Sequence, residues 1–152
     1  MVIEERFTVA RPAQEVWDFL RNLDNAARCV PGCEEVELLD ESSCRVTVKL
    51  TLARFPFRFR VKMNIDEEEP PTFLRSSVEG AEQNKGGFVN MENTMRLTAS
   101  APGETELAYR MEMRLAGRIA AFGQRIFAIK ARQLSAEFAR NLSDRLGAHS
   151  GA

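Results

Sequence analysis

Phe55-Pro56-Phe57-Arg58-Phe59-Arg60-Val61-Lys62-Met63-Asn64-Ile65 sets an apolar side chain at every second position. A β-strand turns successive side chains to opposite faces, so this stretch has one dry face and one wet face. The residues before it repeat the pattern: Cys44, Val46, Val48, Leu50 and Leu52 alternate with Arg45, Thr47, Lys49 and Thr51. Beyond Pro70-Pro71 the inward set weakens to Leu74, Ser76 and Val78, and Gly80 to Gly87 reads as a loop. Val89, Met91, Asn93, Met95 and Leu97 make the next strand, and Pro102-Gly103 a turn. Leu107, Tyr109, Met111, Met113 and Leu115 make the last one. With the β-rich Ile3 to Val9, this predicts one antiparallel sheet of about seven strands.

Two regions break the period of two. After Pro12, which suits a first helical turn, Val16, Phe19, Leu20 and Leu23 recur at helical spacing beside Trp17. A second short helix is predicted to end at Cys29. From about Gly117 to Leu146, apolar residues again recur at three and four: Ile119, Phe122, Ile126, Ile129, Leu134, Phe138, Leu142 and Leu146. Roughly 30 residues at about 1.5 Å each give a rod near 45 Å, long enough to cross a whole sheet. The elements predict an α+β layer, a sheet curled around its last helix with a gap between them.

Composition narrows the function classes. A chain of 152 residues, 44% hydrophobic and 28% charged, is one domain with a sizeable core. Residues 1–146 are read as that domain and residues 147–152 as a disordered tail. A net charge of −1 argues against nucleic acid as a partner. No apolar run approaches the roughly 18 residues of a membrane span. Met1 to Arg6 lacks the apolar core of a signal peptide. Three cysteines fit a reducing compartment, so a cytoplasmic location is expected.

The inward positions are nearly all apolar: Phe57, Phe59, Met63, Met91, Met95, Met111 and Met113, with Tyr109, Asn93 and Ser76 as exceptions. Methionine is flexible and polarizable, so a space lined by Met and Phe adapts to an apolar guest. Phe122 and Ile126 of the last helix would close it, while Tyr109 and Asn93 would seek partners there. Catalytic residues are not visible. The lone His149 lies in the tail, and Glu67 to Glu69 cap a loop rather than line the interior. Lys85-Gly86-Gly87 leads into a strand rather than a helix start, so it reads as a hairpin turn and not as a phosphate loop.

Cys29-Val30-Pro31-Gly32-Cys33 admits a metal or redox reading, but the chemistry is incomplete. A structural zinc site wants four nitrogen or sulfur ligands, and three cysteines with no histidine outside the tail do not supply them. The Pro-Gly pair fixes one backbone angle and frees the next, which makes a tight corner. No metal ligands are therefore assigned. The last helix carries a local charge of +4 between Gly117 and Leu146, leaving −5 elsewhere. Arg125, Arg132 and Arg140 are its candidate contacts with an anionic membrane surface or an acidic partner.

Particular residues point to a family. The helix start Pro12-Ala13-Gln14-Glu15-Val16-Trp17, the Val-Pro-Gly-Cys corner followed by Glu34, and Pro70-Pro71 ending a strand are three of its marks. Gly117…Leu134…Glu137-Phe138…Asn141 in the last helix is the fourth. With these the chain resembles the G subunit of carbon monoxide dehydrogenase over about residues 1–146. That family sits in the helix-grip superfamily of START domains, birch-pollen-type allergens and polyketide cyclases.

The resemblance implies an internal cavity for an apolar ligand such as a lipid or quinone, with Trp17, Pro31 and Gly32 at its entrance. It also implies a non-catalytic accessory role beside a molybdenum-containing dehydrogenase: recruitment to the inner face of the membrane, or transfer of electrons to quinone. No covalently bound cofactor is expected, and a homodimer is the default assembly. Two alternatives stay open. One is a cyclase or hydratase that orients a polyketide-like substrate with Tyr109 or Asn93. The other is an interaction module with a filled core.

Overall fold

Alternating sequence becomes strand and amphipathic sequence becomes helix in the order β1 (Val2–Val9), α1 (Ala13–Arg21), α2 (Leu23–Cys29), β2 (Cys33–Asp40), β3 (Ser43–Leu52), β4 (Phe55–Glu69), β5 (Phe73–Glu82), β6 (Phe88–Ala101) and β7 (Glu104–Ala116). A 3-10 turn, Arg118–Phe122, then leads into α3, Gly123–Ser150. This computed structural model describes the backbone of residues 1–150 and the side chains of residues 1–147. The expectations placed on His149 and on residues 151 and 152 fall outside that set.

The seven strands form one antiparallel sheet in the order β1-β7-β6-β5-β4-β3-β2. Every neighbour from β2 to β7 is a hairpin partner, and β1 joins the free edge of β7. Asn22 separates the two short helices: its extended backbone ends α1, and its side chain accepts from the Asn25 N–H at 3.2 Å to begin α2. α1 buries Val16, Trp17, Phe19 and Leu20.

Three features differ from the expectations above, each for a local reason. β5 continues through Gly80 to Glu82, so the loop is only residues 83–87. Glu82 is buried there because its carboxylate accepts from the N–H groups of Asn84 at 2.9 Å, Gly86 at 3.0 Å and Arg58 at 3.2 Å. Phe55 stands on the dry face by period but is 61% exposed, since β3 and β4 turn at the tip beside it.

The third difference lies in the last helix. The repeat read from Gly117 spans two elements, and the α-helix proper restarts at Gly123, extending to Ser150. The restart shifts the inward phase by one residue: Phe127 is buried, while Ile126 and Ile129 are 38% and 51% exposed.

The core is divided. One cluster gathers Val46, Leu52, Phe57, Phe59, Ile119 and Phe127 around the start of α3. A second gathers Val9, Trp17, Leu20, Leu107, Leu142 and Leu146 around its far half. The middle of the sheet belongs fully to neither.

Candidate functional site: a chamber beneath the last helix

Pairing registers place the inward residues in rows across the concave face. One row runs Ile65, Ser76, Asn93, Met111 and Ile3. The rows on either side are Met63, Val78, Met91, Met113 and Leu74, Met95, Tyr109, Glu5. A side chain at the centre of a sheet under a helix is ordinarily buried. Here Met63, Met91, Asn93, Met95, Tyr109, Met111 and Met113 all remain only half-buried. Met63, Met91 and Met113 pack against the first core cluster and Met95 and Tyr109 against the second, while Asn93 and Met111 belong to neither.

α3 buries Phe127 near its start and Leu142 and Leu146 in its far half. Between them Ala131, Leu134, Ser135 and Phe138 are half-buried.

Polar groups mark this interior. The Tyr109 hydroxyl is hydrogen-bonded to the Ser135 hydroxyl. Burial pushes the Tyr109 phenol up, the Ser135 bond lowers it, and the charge of Glu5 raises it again. The phenol therefore stays protonated near neutral pH and is a hydrogen-bonding group rather than a base. Among the described residues, Asn93 Oδ1 is buried with no hydrogen-bond partner. Leaving such an atom unpaired costs roughly 1–3 kcal/mol, which a hydroxyl or amide on a guest would recover.

A model of the family described as the G subunit of carbon monoxide dehydrogenase (CoxG) matches residues 6–147. The chain belongs to the CoxG family. No curated protein matches it. Among solved structures, a conserved protein from Geobacillus kaustophilus superposes with TM-score 0.88 at 23% identity, over 97% of this chain and 95% of that one. A START superfamily protein from Mycobacterium smegmatis gives 0.74 at 12% identity, over 98% and 99%. The Zhui aromatase/cyclase from Streptomyces sp. R1128 gives 0.67 at 18% identity, over 96% and 93%. These likenesses fix the fold as the START-like helix-grip architecture.

The other expected site residues of this CoxG-family chain divide. Phe57 and Phe59 are buried in the first core cluster, and Phe122 packs edge-on against Phe57 with ring centroids 5.7 Å apart. They form an aromatic end wall. Ile126, expected in the lining, faces outward because of the helix restart. Trp17, expected at an entrance, is 4% exposed within the second cluster.

Pro31 and Gly32 line an open groove of about 330 Å³ with Arg28, Val30, Cys33, Asn141, Asp144 and Arg145. None of the chamber residues contributes to that lining. Arg125, Arg132 and Arg140 are exposed on α3. Glu5, Ala131, Ser135 and Phe127 escaped the sequence reading. For Glu5 a signal existed, since it stands in phase with Ile3 and Phe7.

The corner is a turn clamped between two elements. Cys33 N–H donates to Val30 O at 3.1 Å, with Gly32 at φ 83°, the value that position of a type II turn requires. Lys49 N–H donates to Gly32 O at 2.9 Å, and the Asn141 amide donates to Cys29 O at 3.0 Å. The sheet and α3 thus grip the corner from opposite sides.

All three thiols are free, with Cys29 and Cys44 buried and Cys33 half-buried. Burial pushes Cys29 up to about 11 despite the opposing charge of Arg145, and raises the other two thiols as well. Alkylation of the native protein at pH 8 should consequently modify Cys33 and spare Cys29 and Cys44 until denaturant is added. A folded value of about 11 against 9.0 unfolded gives a contribution fully present below pH 9. It is lost as pH rises towards 11, lowering stability by about 2–3 kcal/mol. Chemical denaturation across that range measures it.

Proposed function

We propose that this CoxG-family chain is an accessory protein that holds an apolar ligand, a lipid or quinone, between its sheet and α3. The observation that supports this reading is the half-buried methionine field on the concave face. Methionines reshape around a guest at little cost, and the two core clusters keep the fold intact whether the chamber is full or empty. Asn93 and the Tyr109–Ser135 pair would engage the guest's carbonyl or hydroxyl end, leaving its hydrocarbon among Met91, Met111 and Met113. No step of chemistry is assigned to these groups.

The family's name supports a partner as well: a molybdenum-containing, carbon monoxide dehydrogenase-like complex, to which the protein would bring a quinone or a membrane address. Affinity capture with the tagged full chain from its own host tests this. Molybdenum and the dehydrogenase polypeptides are expected in the captured fraction at stoichiometric levels. Capture of the chain without them, from cells that express the complex, would sink the partnership.

A further inference from the structure

The sheet ends in two edges, β1 and β2. Backbone groups left unpaired along an edge are a template for another strand. On the β1 edge the outward charges are matched within the sheet: Glu4 meets Arg110 at 3.4 Å, and Arg6 meets Glu106 at 3.6 Å. The β2 edge is different. Residues 34–40 hold Glu34, Glu35, Glu37 and Asp40 and no lysine or arginine. Arg58 pairs with Glu34 at 2.7 Å, and Asp40 accepts from the Ser42 N–H at 2.8 Å. Glu35 and Glu37 are exposed. Among the described residues neither forms an ion pair, although Glu37 stands opposite Arg45 in register.

Register separates the two faces of this edge strand. Glu35 and Glu37 stand opposite Thr47 and Arg45 on the outer face, whereas Val36 and Leu38 stand opposite the buried Val46 and Cys44. Leu38 is nevertheless 57% exposed. Leu39, in the bulge that shifts the register between Leu38 and Asp40, is 37% exposed. The edge thus alternates free carboxylates on one face with uncovered apolar side chains on the other.

We propose that the free edge of β2 takes up an extended segment of a partner protein in which basic and apolar residues alternate. Added as a further strand, that segment sets its basic side chains beside Glu35 and Glu37 and its apolar ones beside Val36 and Leu38. Main-chain hydrogen bonds to β2 supply the attachment, and the alternation supplies the selection. Charge decides against the other occupants. A second copy of this edge would set Glu35 and Glu37 against the same carboxylates, and nucleic acid or an anionic bilayer would meet like charge. Carboxylates on an edge ordinarily bar indiscriminate pairing, and here they admit a strand of opposite sign alone. Strand addition needs no guest in the interior, so the proposal does not rest on the chamber.

A blocked, labelled peptide of alternating lysine and valine, about eight residues long, tests it by fluorescence anisotropy against the purified full chain. Saturable binding is expected, weakening as salt rises. Amide hydrogen exchange should slow in β2 of the complex and stay unchanged in β1. A glutamate–valine peptide of the same length should not bind. Glu35→Gln with Glu37→Gln should weaken binding about fivefold, the worth of two exposed ion pairs. Leu38→Ser with Leu39→Ser should weaken it about tenfold, and Glu4→Gln on the opposite edge should leave it unchanged. Melting curves matching wild type confirm that the variants fold. No binding by wild type, undiminished binding by the Glu35 and Glu37 variant, or binding without protection of the β2 amides overturns the proposal.

Discussion

Gly32→Ala lowers the unfolding free energy by about 3 kcal/mol, a melting shift of roughly 10 °C for a domain of this size. Two costs combine. A residue with a Cβ pays about 1–2 kcal/mol to hold a left-handed backbone, and Gly32 sits at φ 83°. An added Cβ would also stand 2.1 Å from Lys49 O, a backbone atom that cannot swing aside. Relief requires moving β3 or losing the Lys49-to-Gly32 hydrogen bond. Gly103 is the control: its φ is 73°, but nothing lies within 4 Å of the added atom. Gly103→Ala should cost only the backbone component, about 1 kcal/mol. Equal losses at the two sites in denaturant titrations would show that the corner yields and that the clash carries nothing.

Met111→Trp abolishes ligand binding while leaving the melting temperature within a few degrees of wild type. Met111 lies on β7, the second strand from the β1 edge, between Ile3 and Asn93 in register, and is half-buried. If the space above it is open, an indole enters that space and takes the guest's place, weakening binding by a hundredfold or more. If the interior is instead packed solid, the same substitution overfills it and costs about 1–3 kcal/mol. The variant thus separates a container from a filled interaction module. Quinone titration and thermal melting of one preparation give both numbers.

The sheet was legible because period-two alternation is a direct projection of strand geometry. The inward sets that hold Met91, Asn93 and Met111 follow from it, whereas their alignment into rows depends on the pairing registers. The Pro31-Gly32 corner was legible for the same reason: two residues with opposed backbone preferences leave little choice.

What was hidden depended on where regular elements stop. The spacing Ile119, Phe122, Ile126 continues smoothly across Gly123, so the change from 3-10 turn to α-helix left no mark in the apolar pattern. Phe127 therefore replaced Ile126 in the core. Ser135, which meets Tyr109 from the middle of α3, was hidden too. Small side chains send no signal in a search for bulky ones. Trp17 misled in another way, since a large aromatic near a corner serves an entrance or a core equally well, and only the contacts with Leu20, Leu142 and Leu146 decide it.

The central claim is that the space between the sheet and α3 holds an apolar guest. Purifying the full chain from its native host, extracting it with organic solvent and identifying the extract by mass spectrometry tests that most directly. A quinone or lipid near one per chain, absent from a parallel Met111→Trp preparation, is the predicted result. An extract empty of apolar molecules, from a protein that also fails to take up added quinone or lipid, would contradict it.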